Sequence, residues 1–151
     1  MPTKEFIENL ANGLVEELKP FCKKIKIVGS ILRRENVVHR DIDIVLIPKD
    51  RIKLEDFMKT KGKFIEDGER ESTWKVARVK IELYYTIPEE WGAEVLAYSL
   101  EKGHAIGLRK LAKEKGFKLN NHGLWKGDKK IASKSEKEIF KKLCVKKVAW
   151  G

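Results

Sequence analysis

The spacing of apolar and polar residues predicts a helix followed by two strands at the start of the chain. From Thr3 to Lys19, apolar residues recur at helical spacing, with Thr3 as a cap and Pro20 as a stop. The segment 24–28 (KIKIV) is typical of a short buried strand, and 39–48 (HRDIDIVLIP) alternates charged and aliphatic residues before it becomes wholly apolar. Two strands are therefore expected on either side of a segment that begins at Gly29.

The middle of the chain predicts a short helix and three more strands of the same sheet. The helix is expected over 52–60 and the strands over 64–67, 72–77 and 79–86, in an antiparallel arrangement. Because side chains two apart on a strand share a face, the last strand, VKIELYYT, presents Lys80, Glu82 and Tyr84 together. The glutamate matters to function only if this strand lies beside another acidic strand.

The last third of the chain predicts helices around a hairpin. Helices are expected over 88–99, 103–115 and 135–143, and hairpin turns at 121–123 and 127–128. The middle helix is expected to turn apolar residues inward and cations outward, namely Ile106, Leu108, Leu111 and Ala112 inward and Arg109, Lys110, Lys113 and Lys115 outward. Near 97–103 an acidic and apolar region gives way to a basic one, which marks the expected boundary between two lobes.

Composition adds a preference for a polyanionic partner. The 151 residues are 42% hydrophobic, enough for a packed core, and Lys+Arg 33 against Asp+Glu 23 gives a formal net charge of +10. Nucleic acid fits this charge, although charge alone does not separate it from an anionic membrane surface. The two cysteines are too few for a metal cluster or a disulfide framework and fit reduced core thiols. Without an apolar run of membrane-spanning length or a signal peptide, the expected location is the cytoplasm.

The segment after the first strand has the outline of a phosphate site. Gly29 breaks the strand, Ser30 is a good N-cap for a helical turn, and that turn carries Arg33 and Arg34. A glycine and serine before a helix are most often only a turn. Their functional interpretation depends on the acidic strand that comes about a dozen residues later.

This next strand carries two acidic residues on one face. Asp41 and Asp43 project together, while the isoleucines beside them pack on the other side. Two adjacent carboxylates repel each other, and oxygen-only ligands of this kind suit Mg²⁺, which binds one or two carboxylates together with substrate phosphates. A D-x-D pair is often a solvated strand edge, but the phosphate turn and the acidic pair in this order favour a nucleotide and metal site.

Five ordered segments resemble the family X (polymerase-beta-like) DNA polymerases, most closely the smallest members, which consist of a palm and a thumb-like subdomain. They are VGSILRRE, DIDIVLIP, VKIELYYT followed by PEEWG, LRKLAKEKGFKLNNHGLW, and SEKEIF, and they run from about Ile25 to Leu143. The resemblance implies an α+β fold: a nucleotidyltransferase palm with a mixed or antiparallel sheet over 1–97, and a small helical and hairpin thumb-like subdomain over 98–151. It also implies template-directed addition of a deoxynucleotide to a primer 3′-hydroxyl in short-gap repair.

The resemblance further implies a role for each matching residue. Metal ligands and catalytic carboxylates would be Asp41, Asp43 and Glu82, holding Mg²⁺ or Mn²⁺; nucleotide-binding residues would be Gly29, Ser30, one of Arg33 or Arg34, and Tyr98; and Arg109 would contact DNA. The positive charge of the same helix adds Lys110 and Lys113 as expected DNA-binding residues. The family usually has aspartate as the third carboxylate, so Glu82 adds a methylene, and Lys80 on the same face is placed to pair with it. Expected partners are gapped or primer–template DNA and a dNTP, with no membrane and a monomeric protein.

Two alternatives remain open from the sequence. The same glycine-serine and D-x-D core occurs in nucleotidyltransferases that act on RNA ends, proteins or small molecules; these lack the segment LRKLAKEKGFKLNNHGL, so its presence favours the polymerase. The other alternative is a non-catalytic DNA-binding protein that kept the fold after its active site degraded.

Overall fold

A five-stranded sheet forms the centre of the first part of the chain. The strands follow the order β1-β2-β5-β4-β3, in which β2 and β5 are parallel and the other neighbours antiparallel. The strands are β1 (Cys22–Val28), β2 (Asp41–Pro48), β3 (Lys63–Asp67), β4 (Glu71–Val76) and β5 (Val79–Tyr85). This computed structural model describes residues 3–33 and 41–144. The predicted α+β fold with a mixed sheet is confirmed.

Two helices accompany this sheet. Helix α1 (Lys4–Leu18) begins where the Thr3 hydroxyl accepts the N–H of Phe6 at 3.0 Å, and it buries a stripe formed by Ile7, Ala11, Leu14 and Leu18. Helix α2 (Arg51–Lys61) begins at Asp50 and buries Leu54 and Met58. Both helix starts follow local capping chemistry, which is why the sequence predicts them well.

The core of this part is centred on β2 and β5. Ile42 and Ile44 on β2, and Ile81 and Leu83 on β5, are fully buried. They pack in one cluster with the apolar stripe of α1, with α2 and with Trp74 of β4. Alternate residues of both strands therefore serve the core, which leaves the intervening ones for the opposite face. The sequence predicted β1 to be buried. Because β1 lies at the edge of the sheet, its isoleucines are only half-buried.

The C-terminal part contains three helices and a three-stranded sheet. After a 3₁₀ turn at Pro88–Glu90, the elements are α3 (Trp91–Ser99), α4 (Lys102–Glu114), β6 (Lys118–Asn120), β7 (Gly123–Lys126), β8 (Lys129–Ala132) and α5 (Glu136–Leu143). Their core includes Ala93, Leu96, Leu124, Ile139 and Phe140. The predicted hairpin and the serine cap of the last helix are both present, and the Ser135 hydroxyl accepts the N–H of Glu138 at 3.1 Å.

The chain divides into two compact units, Met1–Thr86 and Ile87–Gly151, which we call the first and second units. The division falls eleven residues before the boundary predicted at 97. The difference arises from α3, because Ala93 and Leu96 pack into the core of the second unit. The backbone N–H groups of Gly92 and Ala93 also donate to the carbonyls of Lys134 and Ser133, and Gly92 lies too close to Ser135 for a side chain to fit.

Two local expectations are wrong. Ile106, expected inward on α4, is 55% exposed, because that helix packs through Ala105, Leu108 and Ala112 and Ile106 lies about 100° or more around the helix from each of them. Cys144, expected in the core, is exposed at the end of α5, whereas Cys22 is buried and burial raises its pKa to about 11. Both cysteines are free thiols.

Among the described residues, no helix combines the length and apolarity that crossing a bilayer requires.

Candidate active site

The parallel pairing of β2 and β5 brings the three predicted carboxylates to one face of the sheet. In the register, Asp43 stands beside Glu82, and Asp41 stands beside Lys80. Because side chains alternate in step on paired strands, Asp41, Asp43 and Glu82 all project opposite the buried isoleucines. The sequence predicted each strand's acidic residues separately, and the register is what joins them.

Both oxygens of the Glu82 carboxylate are engaged by residues of the same strand. Lys80 Nζ lies 2.8 Å from Oε1, which confirms the predicted pairing, and the Tyr84 hydroxyl donates to Oε2. Partial burial alone would raise the pKa of Glu82, but the hydrogen bonds from Lys80 and Tyr84 outweigh it and lower the pKa below its usual value. The pKa of Lys80 is raised in turn by its bond to Glu82. Glu82 is therefore held in its ionised form.

The pKa of Asp43 is shifted in the opposite direction to that of Glu82. Burial, reinforced by the negative charges of Glu82 and Asp41, raises the pKa of Asp43 from 3.8 to about 7. The Tyr84 hydroxyl lies 3.4 Å from its Oδ1, too far to offset this effect. A half-buried carboxylate whose pKa is raised by burial and by like charges marks a place where a cation would be stabilised, so these residues form a candidate functional site.

Gly29 leaves the space that the Asp43 carboxylate occupies. A Cβ at position 29 would lie 2.5 Å from Asp43 Oδ2, and Gly29 has φ +79°, in the left-handed region that favours glycine. The sequence pattern predicted a phosphate turn at this glycine, but it did not predict the contact between Gly29 and Asp43. Only the pairing of Val28 with Asp43 places the two together.

The predicted phosphate turn is a single turn of backbone beside the carboxylates. The N–H of Arg33 donates to the Gly29 carbonyl at 3.2 Å, so residues 29–33 form one turn closed by a helix-type hydrogen bond. Ser30 and Arg33 are half-buried. Arg34, predicted to bind phosphate, lies outside the described residues. The turn is therefore adjacent to the acidic site, as the sequence order suggested.

The donors suit a hard divalent cation. The three carboxylates supply only oxygen ligands, Asp41 is exposed, and Asp43 and Glu82 are half-buried, which is the kind of ligand set that Mg²⁺ takes with substrate phosphates and water. Within 3–33 and 41–144, no three His, Cys, Asp or Glu side chains converge tightly enough to form a ready-made ion cage. The oxygens of Glu82 face Lys80 and Tyr84 instead.

The remaining predicted site residues belong to the second unit. Tyr98 is half-buried on α3, and Arg109, Lys110 and Lys113 are exposed on α4. Arg109 and Lys113 are four residues apart and share a helix face, while Lys110 points elsewhere. Between 87 and 151, fifteen Lys and Arg stand against eight Asp and Glu, so this unit carries +7 of the formal charge of +10. The cationic character of the chain is thus concentrated away from the carboxylates in sequence.

Comparisons with known proteins identify similar chains. Residues 95–149 match the family model described as DNA polymerase beta thumb. Proteins named "Repair DNA polymerase X" from the Warthog isolate and the Pretoriuskop tick isolate of African swine fever virus are each 29% identical to this chain, covering 93% of it and 90% of the relative. The protein of that name from the Badajoz strain is 27% identical with the same coverage. The similarity extends over both units.

Proposed function

Because this chain belongs to the family X DNA polymerases, we propose that it is a repair enzyme that fills short gaps by template-directed addition of dNMP to a primer 3′-hydroxyl. Membership rests on the thumb match and on similarity over most of the chain to proteins named as repair polymerases. The enzymatic class is DNA polymerase, a nucleotidyltransferase. The gap-filling reaction and the roles of individual residues are the proposal.

One observation carries this proposal: Asp41, Asp43 and Glu82 lie on one face of β2 and β5, beside the turn at Gly29. A non-catalytic DNA-binding protein has no need to bury an acidic residue among like charges, since that arrangement opposes ionisation of Asp43 and destabilises the fold at neutral pH. Retention of this repulsive cluster therefore favours a catalytic role over the non-catalytic alternative.

In the proposed reaction, the carboxylates would bind the metal ions and accept a proton, and the metal ions would stabilise negative charge. Asp41 and Asp43 would hold two divalent ions, and Glu82 would complete the ligand set of one. When bound, Mg²⁺ or Mn²⁺ would favour the ionised primer hydroxyl and neutralise the triphosphate. Glu82, kept ionised by its bonds to Lys80 and Tyr84, would accept the hydroxyl proton.

Nucleotide and DNA would be held by the remaining residues. Gly29 and Ser30 would meet the β- and γ-phosphates through the backbone of the turn, with Arg33 or Arg34 supplying the positive charge. Tyr98 would limit the space at the sugar of the dNTP. DNA would bind the cationic second unit through Arg109, Lys110 and Lys113 of α4, because exposed cations on a strongly positive unit attract phosphates. The cytoplasmic location and the monomeric state stay predictions.

The test is single-nucleotide incorporation into gapped DNA, with Mg²⁺ and then with Mn²⁺. Asp41→Ala and Asp43→Ala should each lower the rate by about a thousandfold or more, since a bound ion supplies several kcal/mol of transition-state stabilisation. Both variants should keep the melting temperature of the parent or exceed it, because each relieves charge repulsion. Asp56→Ala removes an exposed carboxylate of α2, 66% exposed, and serves as the matched control.

Two outcomes would contradict the proposal. Activity retained in either aspartate variant removes the metal-site assignment. A parent protein that transfers nucleotides to RNA ends but not to gapped DNA, with both metals tested, would instead favour the first alternative, a nucleotidyltransferase with another acceptor.

A further inference from the structure

Three lysines form a row across the sheet, on the same face as the carboxylates. In the register, Lys80 of β5 stands beside Asp41 of β2 on one side and Lys75 of β4 on the other. Lys75 in turn stands beside Lys63 of β3. Register partners on adjacent strands project to the same face, and all four of these residues are exposed. A line of positive charge therefore leads away from Asp41 to the edge strand of the sheet.

The folded protein leaves most of this charge without a counter-charge. Lys80 is paired with Glu82, two residues further along the same strand, at 2.8 Å. Within residues 3–33 and 41–144, the side chains of Lys63 and Lys75 have no ion-pair partner. Like charges directly opposite each other on paired strands destabilise a sheet, and Lys75 faces a lysine on both sides. The row therefore lowers the stability of the free protein unless a partner supplies negative charge.

The turn between β4 and β5 adds a fourth cation in a strained position. Ala77 and Arg78 form this two-residue turn, with φ +49° and +67°, and Arg78 is exposed. Both angles lie in the left-handed region, where hairpin turns usually have asparagine or glycine. Only one residue pair separates the turn from the row. Because glycine would suit the turn better, the arginine at this position points to a role for its charge.

The length and the surroundings of the row fit one strand of DNA. Neighbouring strands of a sheet lie about 4.7–4.9 Å apart, so the three lysines span about 10 Å. One strand of duplex DNA rises about 3.4 Å for each phosphate, so this span corresponds to about three successive phosphates. A flat anionic membrane fits less well, because it would also meet the acidic side chains of the same face, namely Asp41, Asp43, Glu66 and Glu82.

We propose that Lys63, Lys75 and Arg78 bind successive backbone phosphates of the primer strand, upstream of its 3′ end. This assignment rests on the proposed function, which places the reacting 3′-hydroxyl at the carboxylates where the row begins. It gives the first unit a DNA-binding surface of its own, in addition to helix α4 of the second unit. Because Lys80 is bound to Glu82, only the cations beyond it are assigned to the phosphates.

Lys63→Ala combined with Lys75→Ala should weaken the binding of primer–template DNA, because two phosphate contacts are lost. Binding is measured by fluorescence anisotropy at several salt concentrations, with a chelator present. We expect about tenfold lower affinity at low salt, and a slope of log affinity against log salt that is smaller by about two. An unchanged slope overturns the inference.

Lys53→Ala combined with Lys59→Ala is the matched control. It removes the same charge from exposed positions of the first unit, on helix α2, which packs against the opposite face of the sheet. The control should keep the affinity and the salt slope of the parent. An equal loss in both double variants would show a general effect of net charge and overturn the inference.

Neutral methylphosphonate linkages identify the strand that the row binds. At the three phosphates nearest the 3′ end of the primer, they should lower the affinity of the parent but scarcely that of the Lys63 and Lys75 double variant, which has already lost those contacts. At the facing phosphates of the template, they should lower both affinities equally. Equal losses from the primer linkages in parent and variant overturn the inference. Should the variant fail to fold, primer linkages that leave the affinity of the parent unchanged overturn it as well.

Arg78→Gly separates the stability of the turn from the binding of DNA. Glycine relieves the left-handed conformation, so the melting temperature should rise, whereas the loss of one cation should reduce the salt slope of DNA binding by about one. A residue that served only the turn would leave DNA affinity unaltered. That result would overturn the role of Arg78.

Three outcomes distinguish this inference from the proposed function and from a membrane surface. A parent that neither binds primer–template DNA nor extends it overturns the proposed function itself. A parent that does both, with unaltered affinity in the Lys63 and Lys75 double variant, overturns only the phosphate row. Loss of binding to phosphatidylserine vesicles in that variant, with unaltered DNA affinity, would make the row a membrane surface and overturn the inference.

Discussion

Asp43 and Glu82 are partners in the register of two parallel strands, one contributed early in the chain and the other about forty residues later. Glu82 is also paired on its other side, with Thr73 of β4. Its backbone is therefore held by ladders on both flanks, and only the length and direction of the side chain can adapt. This arrangement makes the third carboxylate unusually suitable for substitution experiments.

Glu82→Asp should preserve or raise polymerase activity, since it restores the family's usual ligand on a backbone that does not move. Glu82→Ala should lower activity at least about a hundredfold, because misplacing a catalytic group by one ångström already has an effect of that size. Single-nucleotide incorporation measures both, with Glu66→Ala on the exposed strand β3 as the control. A fully active Glu82→Ala variant would place the third ligand elsewhere.

Gly29→Ala should disturb the site and the fold together. The added Cβ would meet Asp43 Oδ2 at 2.5 Å and would sit at φ +79°, so a loss of about 1–3 kcal/mol in the free energy of unfolding is expected, with weaker Mn²⁺ binding. Gly13→Ala in α1 is the control, because nothing lies within 4 Å of the new Cβ and alanine favours helix. Denaturant unfolding measures both variants. Equal behaviour of the two would mean that the turn relaxes without consequence.

Asp43 should make the metal-free protein less stable as pH rises. Its pKa is raised in the folded state to about 7, so its stabilising contribution is complete below the unfolded value near 4 and is lost as pH rises through about 7. The free energy of unfolding lost over this pH range is on the order of 4 kcal/mol. The pKa of Glu82 is lowered, so its contribution is lost only as pH falls below about 4.5, outside this window.

The measurement is the free energy of unfolding with a chelator present, from about pH 5 to pH 8. Asp43→Asn cannot ionise and should flatten the decline, and Mg²⁺ should reverse it in the parent by favouring the ionised form. Parallel pH curves for the parent and for Asp43→Asn would show that this residue does not titrate in the window.

Arg109→Ala combined with Lys113→Ala should weaken DNA binding. Removing one phosphate contact should reduce the slope of log affinity against log salt by about one, across all sequences, with little effect on free nucleotide and metal in the first unit. Gapped DNA is titrated at several salt concentrations. Lys53→Ala with Lys59→Ala removes the same charge from exposed positions of α2 and is the control. An unchanged slope in the α4 variant would mean that this face is merely solvated.

The elements best predicted from the sequence are those set by local chemistry. The threonine cap of α1 and the serine cap of α5 lie within four residues of the groups they bind, so the pattern that predicts them is contained in a short segment. The alternation along β5 likewise placed Lys80, Glu82 and Tyr84 on one face, and Lys80 does pair with Glu82.

The features that could not be predicted from the sequence depend on contacts between residues that are far apart in the chain. The parallel pairing of β2 with β5 joins segments separated by α2, β3 and β4, and no local pattern specifies it. The contacts of Gly29 and Tyr84 with Asp43 result from that pairing and from the pairing of β1 with β2. The exposure of Ile106 and the placement of α3 in the second unit were missed for a related reason: apolar spacing indicates that a helix packs, but not against which element.

The strands that hold the carboxylates also hold fully buried residues of the core of the first unit. Ile42 and Ile44 alternate with Asp41 and Asp43, and Ile81 and Leu83 flank Glu82, all four apolar side chains being fully buried. The backbone amides of this segment should be among the slowest in the unit to exchange with solvent hydrogen, because their opening requires the whole cluster to separate. Fraying of the sheet edges would leave the face that carries the three carboxylates assembled, so in denaturant the proposed nucleotide transfer should disappear together with the fold and not ahead of it.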